Sequence, residues 1–116
     1  VEIIEVEGRK PGKAAEAVAL SARLEQCFVI ACDEHGSALS SRDFSDLLTR
    51  LKNEGIARLV FVVGGSDGLD AAILSRADRT IAFGPQTWPH ALVRAMLAEQ
   101  VYRAATLMAG APYHRD

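Results

Sequence analysis

Two unbroken apolar runs constrain this chain more than any other feature. Residues 27–32 read CFVIAC, and residues 58–63 read RLVFVV, apolar throughout from Leu59. Each is short for a helix and too continuous for a strand with one wet face. Such runs suit strands covered on both faces, as in a parallel sheet. Between them lies a helical pattern: Phe44, Leu47, Leu48 and Leu51 recur at offsets of 3, 4 and 7, which gathers them on one face. Ser40 or Ser41 caps its start, with Ser40 and Asp43 spaced like a capping box, and Gly55 stands where a helix running to Asn53 would end.

The same alternation runs through the rest of the chain. Residues 1–5 (VEIIE) and 79–83 (RTIAF) are strand-like by their β-branched content. Residues 14–26 and a short stretch near 70–76 carry helix formers, and residues 90–108 predict one long helix. Residues 7–13 (EGRKPGK), 33–40 (DEHGSALS), 64–68 (GGSDG) and 84–89 (GPQTWP) read as loops, and 109–116 as an irregular tail. Strands alternating with helices predict an α/β fold with a mostly parallel sheet flanked by helices. At 116 residues, one domain spanning 1–116 is expected. Ligands of open α/β sheets sit beyond the carboxyl ends of the strands. The loops 33–36, 64–68 and 84–89 occupy those ends, so the site is expected among them.

Charge and cysteine usage narrow the function classes. Thirteen basic residues against fifteen acidic give a net charge of −2. That balance opposes a protein that coats nucleic acid, which rests on many Lys/Arg–phosphate contacts, and DNA is not an expected partner. RNA reached through a local basic patch stays open. No apolar run approaches the roughly 18 residues of a membrane span, so no membrane is expected. No charged-then-apolar leader is readable. Cys27 and Cys32 lie five positions apart, an odd offset that sends them to opposite faces of a strand. They read as two small core thiols in a reducing cytoplasm, neither a disulfide nor a metal knuckle. His35, His90 and His114 lack metal-ligand spacing, so no metal is expected, and no serine sits in a GxSxG elbow.

Four segments carry chemistry. The glycines of GGSDG let a backbone turn tightly and a ligand approach. Their spacing fits neither a dinucleotide fingerprint nor an NTPase phosphate loop, and a plain structural turn explains them equally well. In GPQTWP, Pro85 and Pro89 stiffen the backbone around Trp88, whose indole either walls a pocket for a flat ring or covers the edge of the core. On the long helix, His90 and Arg94 share one side, and Glu99, Arg103 and Thr106 form a polar stripe roughly opposite. Its remaining girth is apolar, which predicts burial on more than one side and, in so small a domain, a partner subunit. Glu99 and Arg103 read most simply as an exposed i,i+4 pair of little worth. The tail Tyr113-His114-Arg115 is either a frayed terminus or a nucleotide grip that combines stacking with phosphate pairing.

Taken together in order, VVGGSDGLD, WPHALVRAMLAEQVYRA and the closing APYHRD resemble the bacterial large-subunit ribosomal RNA methyltransferases that modify N3 of a pseudouridine, members of the SPOUT or α/β-knot class. The resemblance spans essentially the whole chain and is densest from Leu59 onward. It implies a C-terminal segment threaded as a trefoil knot, which sequence physics would not suggest, since true knots are very rare. It also implies a homodimer, S-adenosylmethionine as methyl donor, 23S ribosomal RNA within the ribosome as substrate, and a cytoplasmic setting. The family's cofactor contacts carry over onto Cys32, Gly65, Gly84, Pro85, Gln86, Thr87, Trp88 and Pro89. Cys32 stands where the family usually has Leu, and Trp88 replaces a common aliphatic residue. The substrate end carries over onto His90, Arg94, Tyr113, His114 and Arg115. Family members begin with a further strand and helix ahead of the position of Val1. The chain is therefore expected to be N-terminally short, with consequences for the sheet and the dimer.

The expected roles follow from the chemistry. Loss of the imide N3 proton calls for a base or for cationic donors. His114 is the first choice for the base and His90 the second. Arg115 and Arg94 would hold phosphate or a ring carbonyl, and Tyr113 would stack. Two other readings compete: a non-catalytic flavodoxin-like ligand-binding or regulatory module, and a truncated knotted scaffold without activity. The first leaves the aromatic–imidazole–guanidinium tail unexplained and lacks the clustered strand-end acids of a phosphoacceptor.

Overall fold

The computed structural model describes residues 2–6, 27–64, 69 and 71–115. The expected loop at 7–13, the helix at 14–26 and most of the glycine-rich turn, including Gly65, lie outside the described residues. Within them the order is β1 (Glu2–Val6), β2 (Phe28–Ala38), α1 (Ser41–Asn53), β3 (Leu59–Gly64), α2 (Ala71–Arg76), β4 (Arg79–Ala82) and α3 (His90–Met108). The four strands form one sheet in the order β1-β3-β2-β4. Every pairing is parallel: Glu2 to Val6 run beside Val60 to Gly64, Phe28 to Cys32 beside Leu59 to Val63, and Ile30 beside Arg79.

The continuous apolar runs exist because both faces of the sheet are covered. Ile30, Cys32, Phe61, Val63 and Ile81 point to one face, where Phe44, Leu47, Leu48 and Leu51 of α1 and Leu97 and Ala104 of α3 close over them. Cys27, Val29, Ala31, Val60 and Val62 point to the other, against Leu69 and Ile73. The two free thiols are both buried and belong to opposite faces, as the odd offset requires. Phe44 of α1 meets Phe61 of β3 at a ring-centroid distance of 5.9 Å. Ser40 Oγ accepts from Asp43 N at 3.0 Å and starts α1. Just before β4, Asp78 is a latch: its carboxylate accepts from Val29 N of β2 at 2.7 Å and from Arg76 Nη1 at 3.2 Å.

One expectation needs correction. Residues 33–40 do not form a simple loop, because β2 continues to Ala38. Ile81 of β4 pairs with Cys32 and again with Ser37, so residues 33–36 make an excursion between two pairings with the same residue. Gly36 permits it: a Cβ there would lie 2.7 Å from Ile81 N and from Ile81 C, inside the backbone of β4. Pairing with β4, a tertiary effect, overrides the turn chemistry of the Asp-Glu-His-Gly stretch.

Candidate active site

The carboxyl ends of β2, β3 and β4 open into a cleft of about 820 Å³. Its walls come from all the described loops that the strand-end rule selects. Cys32, Asp33, Glu34 and His35 enter from β2, Val63 and Gly64 from β3, and Gln86, Thr87, Trp88 and Pro89 from the segment after β4. Leu69, Leu74, Phe83, His90 and Val93 complete it. That volume lies within the usual range of small-molecule sites, roughly 300–1,000 Å³. A smaller cavity of about 310 Å³ adjoins it across Trp88, lined among others by Phe44, Gly84, Met96 and Gln100. Gln100 Oε1 is buried there without a hydrogen-bond partner among the described residues.

Local chemistry shapes these walls. Gly84 turns the chain out of β4 with φ of +91°, a left-handed conformation that costs a residue with a Cβ free energy. Trp88 Nε1 donates to Phe83 O at 2.9 Å, which fixes the indole between the two cavities. Thr87 donates its hydroxyl to the Glu34 carboxylate and so ties the loop after β4 to the excursion of β2. The Asp33 carboxylate accepts from His35 N at 3.0 Å and lies 3.1 Å from His35 Nδ1. Burial pushes the Cys32 thiol up to about 12, so it enters the cleft as a neutral, unreactive wall. The cleft thus pairs an apolar, aromatic side with two carboxylates.

The tail makes a second centre. The Glu99 carboxylate accepts from Arg103 Nη2 at 2.8 Å and Nε at 3.2 Å, from Gln100 Nε2 at 3.1 Å and from the Tyr113 hydroxyl at 3.1 Å. The Arg103 guanidinium lies 4.8 Å over the Tyr113 ring, and its Nη1 is 3.0 Å from His114 Nδ1. Tyr102 meets Tyr113 edge to face at 5.0 Å. Glu99 and Arg103 are therefore more than an idle surface pair. The hydrogen bonds from Arg103, and after them that from Tyr113, hold the Glu99 carboxyl below its ordinary range, and the same Glu99 contact raises Tyr113.

Of the residues expected at the site, Cys32, Gln86, Thr87, Trp88, Pro89 and His90 line the larger cleft, and Gly84 lines the smaller. Pro85 and Arg94 are exposed and line neither. Tyr113, His114 and Arg115 also lie outside the cleft lining. Glu99 is nine residues along α3 from His90 and Arg103 thirteen, or about 14 and 20 Å at 1.5 Å per residue. Sequence reasoning placed the loop after Cys32 at the site but did not single out Asp33 and Glu34. An acid pair directly after a buried strand was the available signal. It also missed the tail's seat, which no local pattern announces. Among the described residues, no group of His, Cys, Asp or Glu could hold a metal ion, and no helix is long and apolar enough to cross a membrane.

Comparison with known proteins points the same way. The model of a family described as "Predicted SPOUT methyltransferase" matches residues 1–114. A protein of Caulobacter sp. (strain K31) named "Ribosomal RNA large subunit methyltransferase H" is 66% identical over 116 residues, which is all of this chain and 75% of the relative. A Caulobacter vibrioides protein of the same name is 64% identical over the same span and share. One from Dinoroseobacter shibae, again of that name, is 49% identical over 115 residues, 97% of this chain and 74% of its own length.

Proposed function

The chain belongs to the SPOUT methyltransferase family, and from that premise we propose that it is an enzyme that methylates large-subunit ribosomal RNA. The methyl donor is S-adenosylmethionine, and the target is N3 of a pseudouridine in 23S ribosomal RNA. The observation that carries this reading is the cleft at the carboxyl ends of β2, β3 and β4. It has the volume for a nucleoside-sized group, an indole and apolar side chains for a flat base, and the Asp33 and Glu34 carboxylates for a cationic ligand. Cys32, Gly65, Gly84, Pro85, Gln86, Thr87, Trp88 and Pro89 would hold the donor, and the Asp33 and Glu34 carboxylates would balance a positive charge bound in the cleft.

When bound, the donor would supply a sulfonium-activated methyl group, with the electron pair of the broken sulfur–methyl bond left on sulfur as the bond to N3 forms. The protein's own work is alignment and proton removal. The N3 proton passes to an imidazole, for which His114 and His90 are the two candidates, and from there to solvent. Arg94 and Arg115 grip phosphate or a ring carbonyl, and Tyr113 stacks on the base. A single chain seats its tail well along α3 from its own cleft, and Leu92, Tyr102 and Met108 are exposed apolar side chains on the same helix. Both features support a homodimer in which a second copy's tail completes the grip on RNA. The family membership further implies a trefoil knot in the C-terminal half and a cytoplasmic enzyme that works on assembled ribosomes, where a folded surface offsets its net charge of −2.

Calorimetric titration with S-adenosylmethionine and transfer of labelled methyl to pseudouridine-containing ribosomes test the proposal. Saturable one-site binding and methylation of ribosomes in preference to a naked hairpin are expected. An absence of both would return the chain to the regulatory or scaffold readings.

A further inference from the structure

We propose that Asp33 distinguishes the methyl donor from its spent form: its carboxylate favours the sulfonium over the neutral thioether left once the methyl group has gone, and so helps the product to leave. The inference rests on the methyltransferase reading above and deepens it.

The chemistry sets the problem. Donor and product share adenine, ribose and an amino-acid arm, and differ by one methyl group and one positive charge at sulfur. Apolar and aromatic walls hold the shared parts of both. Telling the charge apart takes an opposite charge that water does not screen.

Two carboxylates and no Lys or Arg side chain line the cleft among the described residues. The two acids are not equivalent. The Glu34 side chain is 43% exposed and its carboxylate accepts from the Thr87 hydroxyl, so its charge is screened and worth little. The Asp33 side chain is 13% exposed and follows directly on the buried Cys32. Its Oδ2 accepts from His35 N at 3.0 Å and lies 3.1 Å from His35 Nδ1, on an imidazole that is itself 84% exposed. Its Oδ1 has no hydrogen-bond partner among the described residues. Val63, Leu69, Phe83, Trp88 and Val93 line the same cleft. A carboxylate shielded from water beside such walls, with no Lys or Arg to pair with, is unfavourable until a cation arrives.

The backbone holds this group in place. Ile81 of β4 pairs with Cys32 before the excursion and with Ser37 after it, and Gly36 passes close against the Ile81 backbone. Asp33 is thus anchored from both sides, and pairing with a ligand requires little reordering. Loss of the methyl group leaves its bonding electron pair on sulfur and removes the cation. The product keeps its contacts with the walls and loses its attraction to Asp33.

Calorimetric titration of the full chain with three ligands tests this. They are S-adenosylmethionine, S-adenosylhomocysteine and sinefungin, in which a carbon bearing a protonated amine replaces the methylated sulfur. Asp33→Asn keeps an oxygen for His35 N and removes the charge. It should weaken S-adenosylmethionine and sinefungin about tenfold or more, and S-adenosylhomocysteine by no more than about twofold. Glu34→Gln should leave the ratio of donor to product affinity within about twofold of wild type. Asp33→Ser is also neutral, retains an acceptor and carries the same expectation if Asp33→Asn fails to fold. Equal losses for all three ligands overturn the proposal, because the carboxylate then holds a group they share. So does no loss at all, or a loss confined to S-adenosylmethionine, which would make the methyl group and not the charge the feature recognised. A larger change of ratio in Glu34→Gln than in Asp33→Asn also overturns it. A wild type that binds none of the three sinks the methyltransferase reading and this inference with it. A wild type that binds them leaves that reading standing whatever the variants show.

Discussion

Glu99 shows how one carboxylate can change the meaning of a terminus. Arg103, Tyr113 and His114 all face it, and Arg103 first of all holds its carboxyl below the ordinary value near 4.5. A group whose folded-state pKa is depressed stabilises the fold fully above its unfolded value and loses that contribution as pH falls through the folded one. The contribution of Glu99 to seating the tail should therefore be constant from neutral pH to the mid-4s and fade below. Resonances of Tyr113 followed by acid titration check this, and a tail that loosens on the alkaline side instead would contradict it. Gly36 makes a second residue-scale prediction. A Cβ there meets the backbone of Ile81 at 2.7 Å, and backbone cannot swing aside as a side-chain tip can. Gly36→Ala should cost about 1–3 kcal/mol by overpacking, read as a lower midpoint in denaturant. Neither role was legible in the sequence. Glu99 and Arg103 look like any i,i+4 surface pair until a segment about ten residues further on lands on them, and Gly36 looks like a turn glycine until a strand passes beside it.

The elements themselves were more readable, for identifiable reasons. The long helix occupies residues His90–Met108 as expected, because a proline precedes it and a glycine-bearing tail follows it. The helix Ser41–Asn53 begins where Ser40 offers a hydroxyl to Asp43 N. Strand β2 was half readable: its apolar run was plain, but its extension through Asp-Glu-His-Gly-Ser depends on the edge that β4 offers and on nothing local. The same distinction sets the energetics of α3. Leu97 is 0% exposed and packs against strands and α1 together, so Leu97→Ala should cost about 2–5 kcal/mol in unfolding free energy. Tyr102 is more than half exposed in the single chain and meets Tyr113 edge to face, so Tyr102→Ala should cost about 0.5–1.5 kcal/mol in a monomer. A larger loss, accompanied by a change in sedimentation, would place Tyr102 in the subunit contact.

Among the described residues the molecule is a sheet with a cleft at the carboxyl ends of its strands and a helix that carries the tail away from that cleft. This arrangement divides the proposed chemistry between two places on one chain, and a two-fold assembly can rejoin them. A variant lacking residues 113–116 and a variant carrying Gly84→Val should each be inactive alone. Mixed and re-annealed, they should regain a measurable fraction of wild-type turnover, because one of the two clefts in a hybrid is intact and meets an intact tail. No recovery on mixing would argue for a tail that serves its own cleft. Strand-end geometry located the cleft from the sequence; the separation of the tail from it needed coordinates.

Trp88 has a practical use. It is the sole tryptophan of the chain, pinned by its indole N–H to Phe83 O at the partition between the two cavities. The intrinsic ultraviolet emission of the protein therefore comes mainly from one spot, and whatever fills either chamber must change the polarity around it. The molecule carries its own optical gauge at the doorway, and a ligand series can be ranked on it without a label.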